Sequence, residues 1–298
     1  MSPLDVIAIC SLNRPIEVAF LLAYLRDAIK WSGAIIVVDA SSDDDIQERL
    51  ATVAASKGAT LLQASAGLPL QRNMALSFVR ENFHKDSVVH FIDDDVLPSS
   101  SYFSSASSLI RLAPDARANV VGSRDLLLRR SGLGELLRRL GIKGGDGRIS
   151  VFGLSSPPIA NSRFNHWTPG HGISLRPSQF EGFEFDSSIA FFGEDIEATL
   201  RLGALGNICL TPESTLLHVP GLRKGDRAMY DRQELELRLF LATRFPKLVR
   251  RRIVMAAMIV EAIFLIVAPV APCALRKAMV SNRLDVVARS LSSANSRR

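Results

Sequence analysis

The chain has 298 residues, 47% of them hydrophobic, which is enough to bury a substantial core in one large or two modest domains. Three cysteines, Cys10, Cys209 and Cys273, lie far apart without metal-type spacing, which argues for a reducing compartment and against both a disulfide framework and a zinc module. The formal charge of +6 is unevenly spread: residues 220–298 hold 16 Lys and Arg against 6 Asp and Glu, whereas residues 1–219 hold 20 against 24. The basic tail surrounds the most apolar stretch of the protein and has no interleaved aromatics, a pairing that points to a membrane surface and away from nucleic acid.

The opening "MSPLDVIAIC" has no basic region followed by a long apolar stretch, so no secretory signal is expected. Four short apolar runs follow: "VIAIC" from Val6, "AIIVVDA" from Ala34, "ATLLQA" from Ala59 and "VVHFI" from Val88. They are partly β-branched and do not alternate, as expected of strands buried on both faces. Between them, Ile16–Ile29, Asp44–Lys57 and Arg72–Phe83 carry apolar residues at helical spacing, and Pro15 suits a first helical turn. Strand and helix alternate, which predicts an α/β layer around a mostly parallel sheet.

In such sheets ligands lie beyond the carboxyl ends of the strands. Here those ends are polar: Ser11, Asn13 and Arg14 after the first strand, Asp39, Ser41 and Ser42 after the second, and Asp93, Asp94 and Asp95 after the fourth. No G-x-G-x-x-G and no Walker P-loop follows the first strand, which counts against a dinucleotide enzyme and a P-loop ATPase. Three adjacent carboxylates leaving a core strand repel one another, and a divalent cation offsets that repulsion directly. A solvated turn with an acidic helix cap is the competing reading of the same triplet.

From about Ala118 the pattern loosens. Residues 129–148 are basic and Gly-rich, with Leu133, Leu136, Leu137 and Leu140 at helical spacing. In "FFGEDIEATLRLG" a helix is predicted from Glu194, with Glu194, Asp195 and Glu197 in its first turn. Acids there complement the helix dipole, and a carboxylate in a partly apolar pocket can also serve as a general base. A further strand-like run ends near His218, while His166 and His171, around Trp167, can be packed or functional.

Taken in order, "ICSLNRP", "IIVVDASS", "GLPLQRNMAL", "VVHFIDDDVLP" and "FFGEDIEATLRLG" resemble the family 2 glycosyltransferases of the GT-A fold, over roughly residues 4 to 245. "VVDASS" lacks the family's commoner acidic residue after the aspartate. The resemblance implies an inverting, metal-dependent transfer from a nucleotide-sugar donor. It places Asn13, Arg14, Asp39, Ser41 and Arg72 around the nucleotide, with Asp93 and Asp94 on the donor side. It makes Asp95, with Asp93 and His218, the holders of Mn²⁺ or Mg²⁺. Asp195 becomes the base for the acceptor hydroxyl, with Glu194 in support, and Trp167, Gly170 and His171 fall on the acceptor side. It divides the chain into a GT-A domain at 1–245, with a nucleotide-binding half at 1–117 and an acceptor-side half at 118–245, and a tail at 246–298.

In that tail, Ile253 to Leu275 is a run of 23 residues with one charge, Glu261. Its length permits a spanning helix of about 20 residues, with Arg250, Arg251 and Arg252 on the cytoplasmic side. Glu261 would cost about 2.5–3.5 kcal/mol at the bilayer centre, and Pro269 and Pro272 also favour an interfacial or buried helix. The expectation is a domain at the cytoplasmic face of a membrane, acting on a lipid-linked or polysaccharide acceptor in surface-glycan synthesis. Two other readings stay open: a nucleotidyltransferase that makes the sugar nucleotide, and a non-catalytic membrane-anchored protein that binds it.

Overall fold

The computed structural model describes residues 4–111, 118–127, 132–145, 147–158, 167–189, 193–205, 207–210, 213–219, 227–267 and 273–295. Strand β1 (Val6–Ser11) leads into helix α1 (Pro15–Ala23), whose first turn tolerates Pro15 because no N–H donor is needed there. A wider π-type turn, Tyr24–Ala28, continues it. Alternation then follows as the sequence predicts: β2 (Ala34–Asp39), α2 (Asp44–Ser56), β3 (Thr60–Gln63), α3 (Leu68–Asn82) and β4 (Val89–Asp93). The Asp43 carboxylate accepts the Ile46 N–H and caps α2. Helix α3 starts at Leu68, ahead of the predicted Arg72, because Pro69 can occupy its first turn.

Beyond this stretch come β5 (Val96–Pro98), α4 (Tyr102–Arg111), β6 (Ala118–Gly122), β7 (Arg124–Asp125), α5 (Gly132–Arg139), β8 (Arg148–Ile149) and β9 (Ser155–Ser156). Then follow β10 (Gly172–Leu175), α6 (Glu194–Leu205), β11 (Asn207–Cys209), β12 (Thr215–His218), α7 (Arg227–Arg244), α8 (Arg251–Val267) and α9 (Cys273–Asn295).

Among the described residues seven strands form the main sheet, in the order β11-β6-β10-β4-β1-β2-β3. Strand β1 is parallel to β2 and β4, and β2 to β3. Strand β10 enters antiparallel between β4 and β6. Register sets Ser11 beside Asp39 and Cys10 beside Asp93, so three polar strand ends emerge at one edge.

Both faces of the sheet are covered. Val6, Ala8, Ile36, Val38 and Phe91 pack with Leu76 and Val79 of α3 and Leu202 of α6. The alternate residues Ile7, Ile9, Ile35, Val37 and Ile92 pack with Val18, Leu21 and Leu22 of α1. His90 is the polar exception within β4. Its ring nitrogens meet the Ser174 and Ser107 hydroxyls at 2.8 and 3.2 Å, and burial lowers its pKa to about 4, so it stays neutral.

The chain divides into two compact units, residues 1–129 with 157–221, and residues 130–156 with 222–298. The first contains the main sheet. In the second, α8 packs on α7 and α9. Glu261, the lone charge of the apolar run, is paired there: Arg238 donates to both its oxygens at 3.0 Å, and Arg283 adds a contact at 3.2 Å. Among the described residues no helix is long and apolar enough to cross a membrane.

The sheet leaves no room beside β10. A Cβ on Gly172 would lie 2.3 Å from Ser123 Oγ and 2.7 Å from Leu216 Cδ2. Gly172→Ala is therefore expected to lower stability by about 1–3 kcal/mol in urea denaturation. An unchanged midpoint would mean the strand shifts freely, contrary to its close packing.

Candidate active site

The ends of β1 and β2 are tied together by side chains. Asp39 is fully buried. Its Oδ1 accepts the Ser41 N–H at 3.0 Å and the Ser41 hydroxyl at 2.6 Å, and its Oδ2 accepts Gln63 Nε2 at 3.1 Å. The Ser41 Oγ in turn accepts the Asn13 N–H at 2.8 Å. Asn13 has φ 59°, a left-handed conformation that Asn tolerates better than most residues. Gln71 of α3 donates to the Ser11 and Val38 carbonyls at 2.7 and 2.8 Å. Sequence reasoning missed both: Gln63 stands in no motif, and Gln71 lies inside "GLPLQRNMAL", where only Arg72 was assigned a role.

The aspartate triplet splits into three roles. Asp94 turns inward, accepting the Ser11 hydroxyl at 3.0 Å and a hydrogen bond from the Arg14 guanidinium. Burial raises its pKa to about 7 even though Arg14 and Ser11 pull it down. Asp95 is held on both oxygens, by Arg14 at 2.9 Å and by His218 Nε2 at 3.4 Å. Burial alone would raise it, but the hydrogen bonds and charges of His218 and Arg14 prevail and lower it to about 2. Asp93 lies 3.5 Å from Arg72 and is raised above the usual carboxylate range by burial, against the pull of Arg72. Arg14, expected beside the nucleotide, thus spends its guanidinium on Asp94 and Asp95.

Arg72, 1% exposed, crosses from α3 to the second acidic site. It donates to Glu194 Oε1 at 2.8 Å and to the Gly170 carbonyl at 3.1 Å, with its guanidinium 5.4 Å from the centre of the Phe185 ring. The Gly170 N–H donates to Asp195 Oδ2 at 2.8 Å, so one residue, Gly170, links Arg72 to Asp195 through its two flanking peptide groups. A Cβ on Gly170 would meet Arg72 NH2 at 2.6 Å and Asp195 Cβ at 3.0 Å, which explains the glycine. Asp195 also accepts its neighbour's Ile196 N–H at 2.8 Å. Burial, then the Glu194 charge, raise the Asp195 pKa to about 7, against the opposing effects of Arg72 and the two N–H groups.

His218, at the end of β12, stacks on His171 with ring centroids 5.0 Å apart. The Asp95 hydrogen bond raises the His218 pKa, while burial and then the His218 charge lower that of His171 to about 4. Asp125 of β7 stands behind His218, with Oδ2 4.0 Å from Nδ1, a partner that sequence reasoning missed. Trp167 is buried, and its Nε1, like His171 Nε2, has no hydrogen-bond partner among the described residues. Beside Asp95 a cavity of about 350 Å³ opens between α1 and β5, walled by Ile16, Phe20, Leu97 and Val219.

Could these residues hold a cation? Among the described residues no three His, Cys, Asp or Glu side chains form a ready-made ligand set. Asp95 and His218 converge on their own, with Asp93 on the same turn. Carboxylate with imidazole, and a shell left incomplete, fits a small divalent ion that completes its coordination with water and substrate phosphate.

No protein-family model matches the sequence, and neither does any curated protein. Solved structures do match. Glucosyl-3-phosphoglycerate synthase from Mycobacterium tuberculosis, in complex with Mn²⁺, UDP and glucosyl-3-phosphoglycerate, aligns at TM-score 0.53 and 15% identity over 82% of this chain and 80% of that one. A mannosyltransferase from Pyrobaculum calidifontis, in complex with GDP-Man and Mn²⁺, aligns at TM-score 0.54 and 13% identity over 99% and 76%. This likeness establishes the fold, which is the GT-A fold of glycosyltransferases, as the sequence motifs led us to expect.

Removing Arg72 strands Glu194, itself 5% exposed, without its cation. Arg72→Ala should cost about 3–5 kcal/mol in chemical denaturation. Combining it with Glu194→Gln should cost clearly less than the two single losses added together. Additive losses would show that the pair is not coupled.

Proposed function

We propose that the protein is an inverting glycosyltransferase that moves a sugar from a nucleotide donor to an acceptor hydroxyl. The observation that carries this reading is the Arg72 bridge. It sets an acid pair on α6 beside the acidic turn of β4, at the carboxyl edge of the sheet. The structural neighbours described with UDP, UDP-glucose or GDP-Man and Mn²⁺ support the same chemistry.

In this reading Asn13, Asp39 and Ser41 line the nucleoside end, and Arg72 with Asp93 orients the sugar and its phosphates. Asp95 and His218, with Asp93, hold Mn²⁺ or Mg²⁺. When bound, such an ion supplies positive charge to the departing nucleoside diphosphate. Arg14 keeps Asp95 ionised and Asp94 locked to Ser11, which maintains the shape of the turn.

The acceptor hydroxyl approaches from the side of Trp167, Gly170 and His171. Asp195 removes its proton as the oxygen attacks the anomeric carbon opposite the leaving phosphate, which inverts that centre. A base with a pKa of about 7 is well matched to this work near neutral pH. Glu194 acts through Arg72 and not on the substrate. The apolar wall beside Asp95 supports an acceptor with an apolar portion, such as a lipid-linked one, over a wholly polar glycan.

Asp195→Asn should lower transfer by roughly 10²–10⁴-fold while leaving nucleotide-sugar binding intact, measured by turnover and titration calorimetry. The carboxylate accepts a proton only when ionised. The wild-type rate should therefore rise with pH and level off above about 7, and this limb should be missing from the residual rate of the variant. A variant that keeps most of its rate would remove Asp195 from the base role.

Asp95→Asn should abolish the Mn²⁺-dependent part of the thermal shift given by nucleoside diphosphates, a stabilisation of about 2.7 kcal/mol at a hundred times the dissociation constant. An undiminished shift would place the ion elsewhere.

A further inference from the structure

Helix α8 is apolar on both sides. Val254, Met258, Ala262 and Leu265 form its buried stripe. The outward stripe is also apolar: Ile259, Val260, Ile263, Phe264, Ile266 and Val267 are 44–77% exposed. These positions recur every three or four residues and so lie on one face. Scattered exposed apolar side chains are ordinary, but six large ones on one helix face form a patch that calls for a partner.

The basic end of the helix shows which partner. Arg250 and Arg252 are exposed at the N-terminus of α8, where the helix dipole is positive and cations are unfavourable. Arg251 is occupied by Ser290, whose carbonyl it meets at 2.6 Å. Among the described residues neither Arg250 nor Arg252 has a carboxylate partner, so both are open to an external anion, which would also offset the dipole. Val151, also exposed, adds an apolar side chain at this end, its carbonyl accepting the Arg250 N–H at 3.3 Å.

We propose that the outward face of α8 lies flat in the interface of an anionic lipid bilayer, with Arg250 and Arg252 against the headgroups. A second copy of the chain fits less well, because the described residues of 227–295 carry 12 Lys and Arg against 5 Asp and Glu, and pairing two copies would bring like charge together. A flat pose also suits Glu261, whose carboxylate is turned to Arg238 and Arg283 and does not interrupt the outward stripe. At 17 residues α8 is suited to lying in an interface and is shorter than the roughly 20 needed to span. This inference does not rest on the glycosyltransferase reading.

The test is sedimentation of the full chain with vesicles of phosphatidylcholine alone and of equal parts phosphatidylcholine and phosphatidylglycerol. Wild type should partition to the phosphatidylglycerol vesicles and be released by added salt. Ile263→Ser and Phe264→Ser should each lower the partition coefficient roughly tenfold without moving the urea midpoint. Arg250→Glu with Arg252→Glu should remove the preference for phosphatidylglycerol. Wild type left in the supernatant, or serine variants that sediment like wild type, would overturn the proposal. So would a wild-type dimer on size exclusion that Phe264→Ser splits while vesicle binding is absent. Turnover in vesicle-free buffer with a water-soluble acceptor reports on sugar transfer separately.

Discussion

A guanidinium that has almost no contact with water joins the parts of the cleft. Arg72 reaches from α3 to Glu194, to the Gly170 carbonyl and toward Asp93, so one cation balances acids from β4 and α6. Burying such a charge is costly unless its donors find acceptors, and this constraint dictates the surroundings. Glu194 must face the guanidinium, Gly170 must lack a side chain, and the loop ahead of β10 must keep its carbonyl turned inward. Asp195 takes its position from the N–H of the same glycine, and its pKa is raised by burial and then by Glu194. The acid–base and electrostatic properties of the site therefore cannot be tuned one residue at a time.

Much of this was legible in the sequence. Short β-branched runs buried on both faces announced the parallel strands, and polar residues at their ends marked the edge where the site lies. Adjacent acids imply an offsetting positive charge, but periodicity does not reveal which group supplies it. At Asp94 and Asp95 the structure uses Arg14, a residue the motif assigned to the nucleotide. The bridge from Arg72 to Glu194 spans 122 positions, and the strut from Gln71 to Ser11 spans 60. Such contacts depend on which strands become neighbours, and the antiparallel entry of β10 carries no local signature. Glu261 reads in the sequence as a flaw in an apolar run, but in the folded unit it is the acid shared by two arginines on α7 and α9.

The neutral histidine of β4 illustrates the same logic inside the sheet. His90 lies among Trp31, Tyr102 and Phe103, where a charged ring would be expensive, and two serine hydroxyls satisfy it without charge. Histidine near the site is used in two other ways. His218 gains a proton-stabilising carboxylate, whereas His171, stacked on it, is kept neutral. Three imidazoles of one chemistry thus occupy three electrostatic settings determined by their immediate partners.

Because β10 runs against its neighbours, the chain enters that strand at the rim from which β1, β2 and β4 depart. Trp167 to His171 therefore arrive at the cleft just before a strand anchored on both sides. Residues added or lost upstream of Trp167 would reshape that side of the cleft without altering the pairing of β1, β2 or β4. The architecture lets one connection vary in length and composition while the strand ends opposite it stay fixed by their pairing.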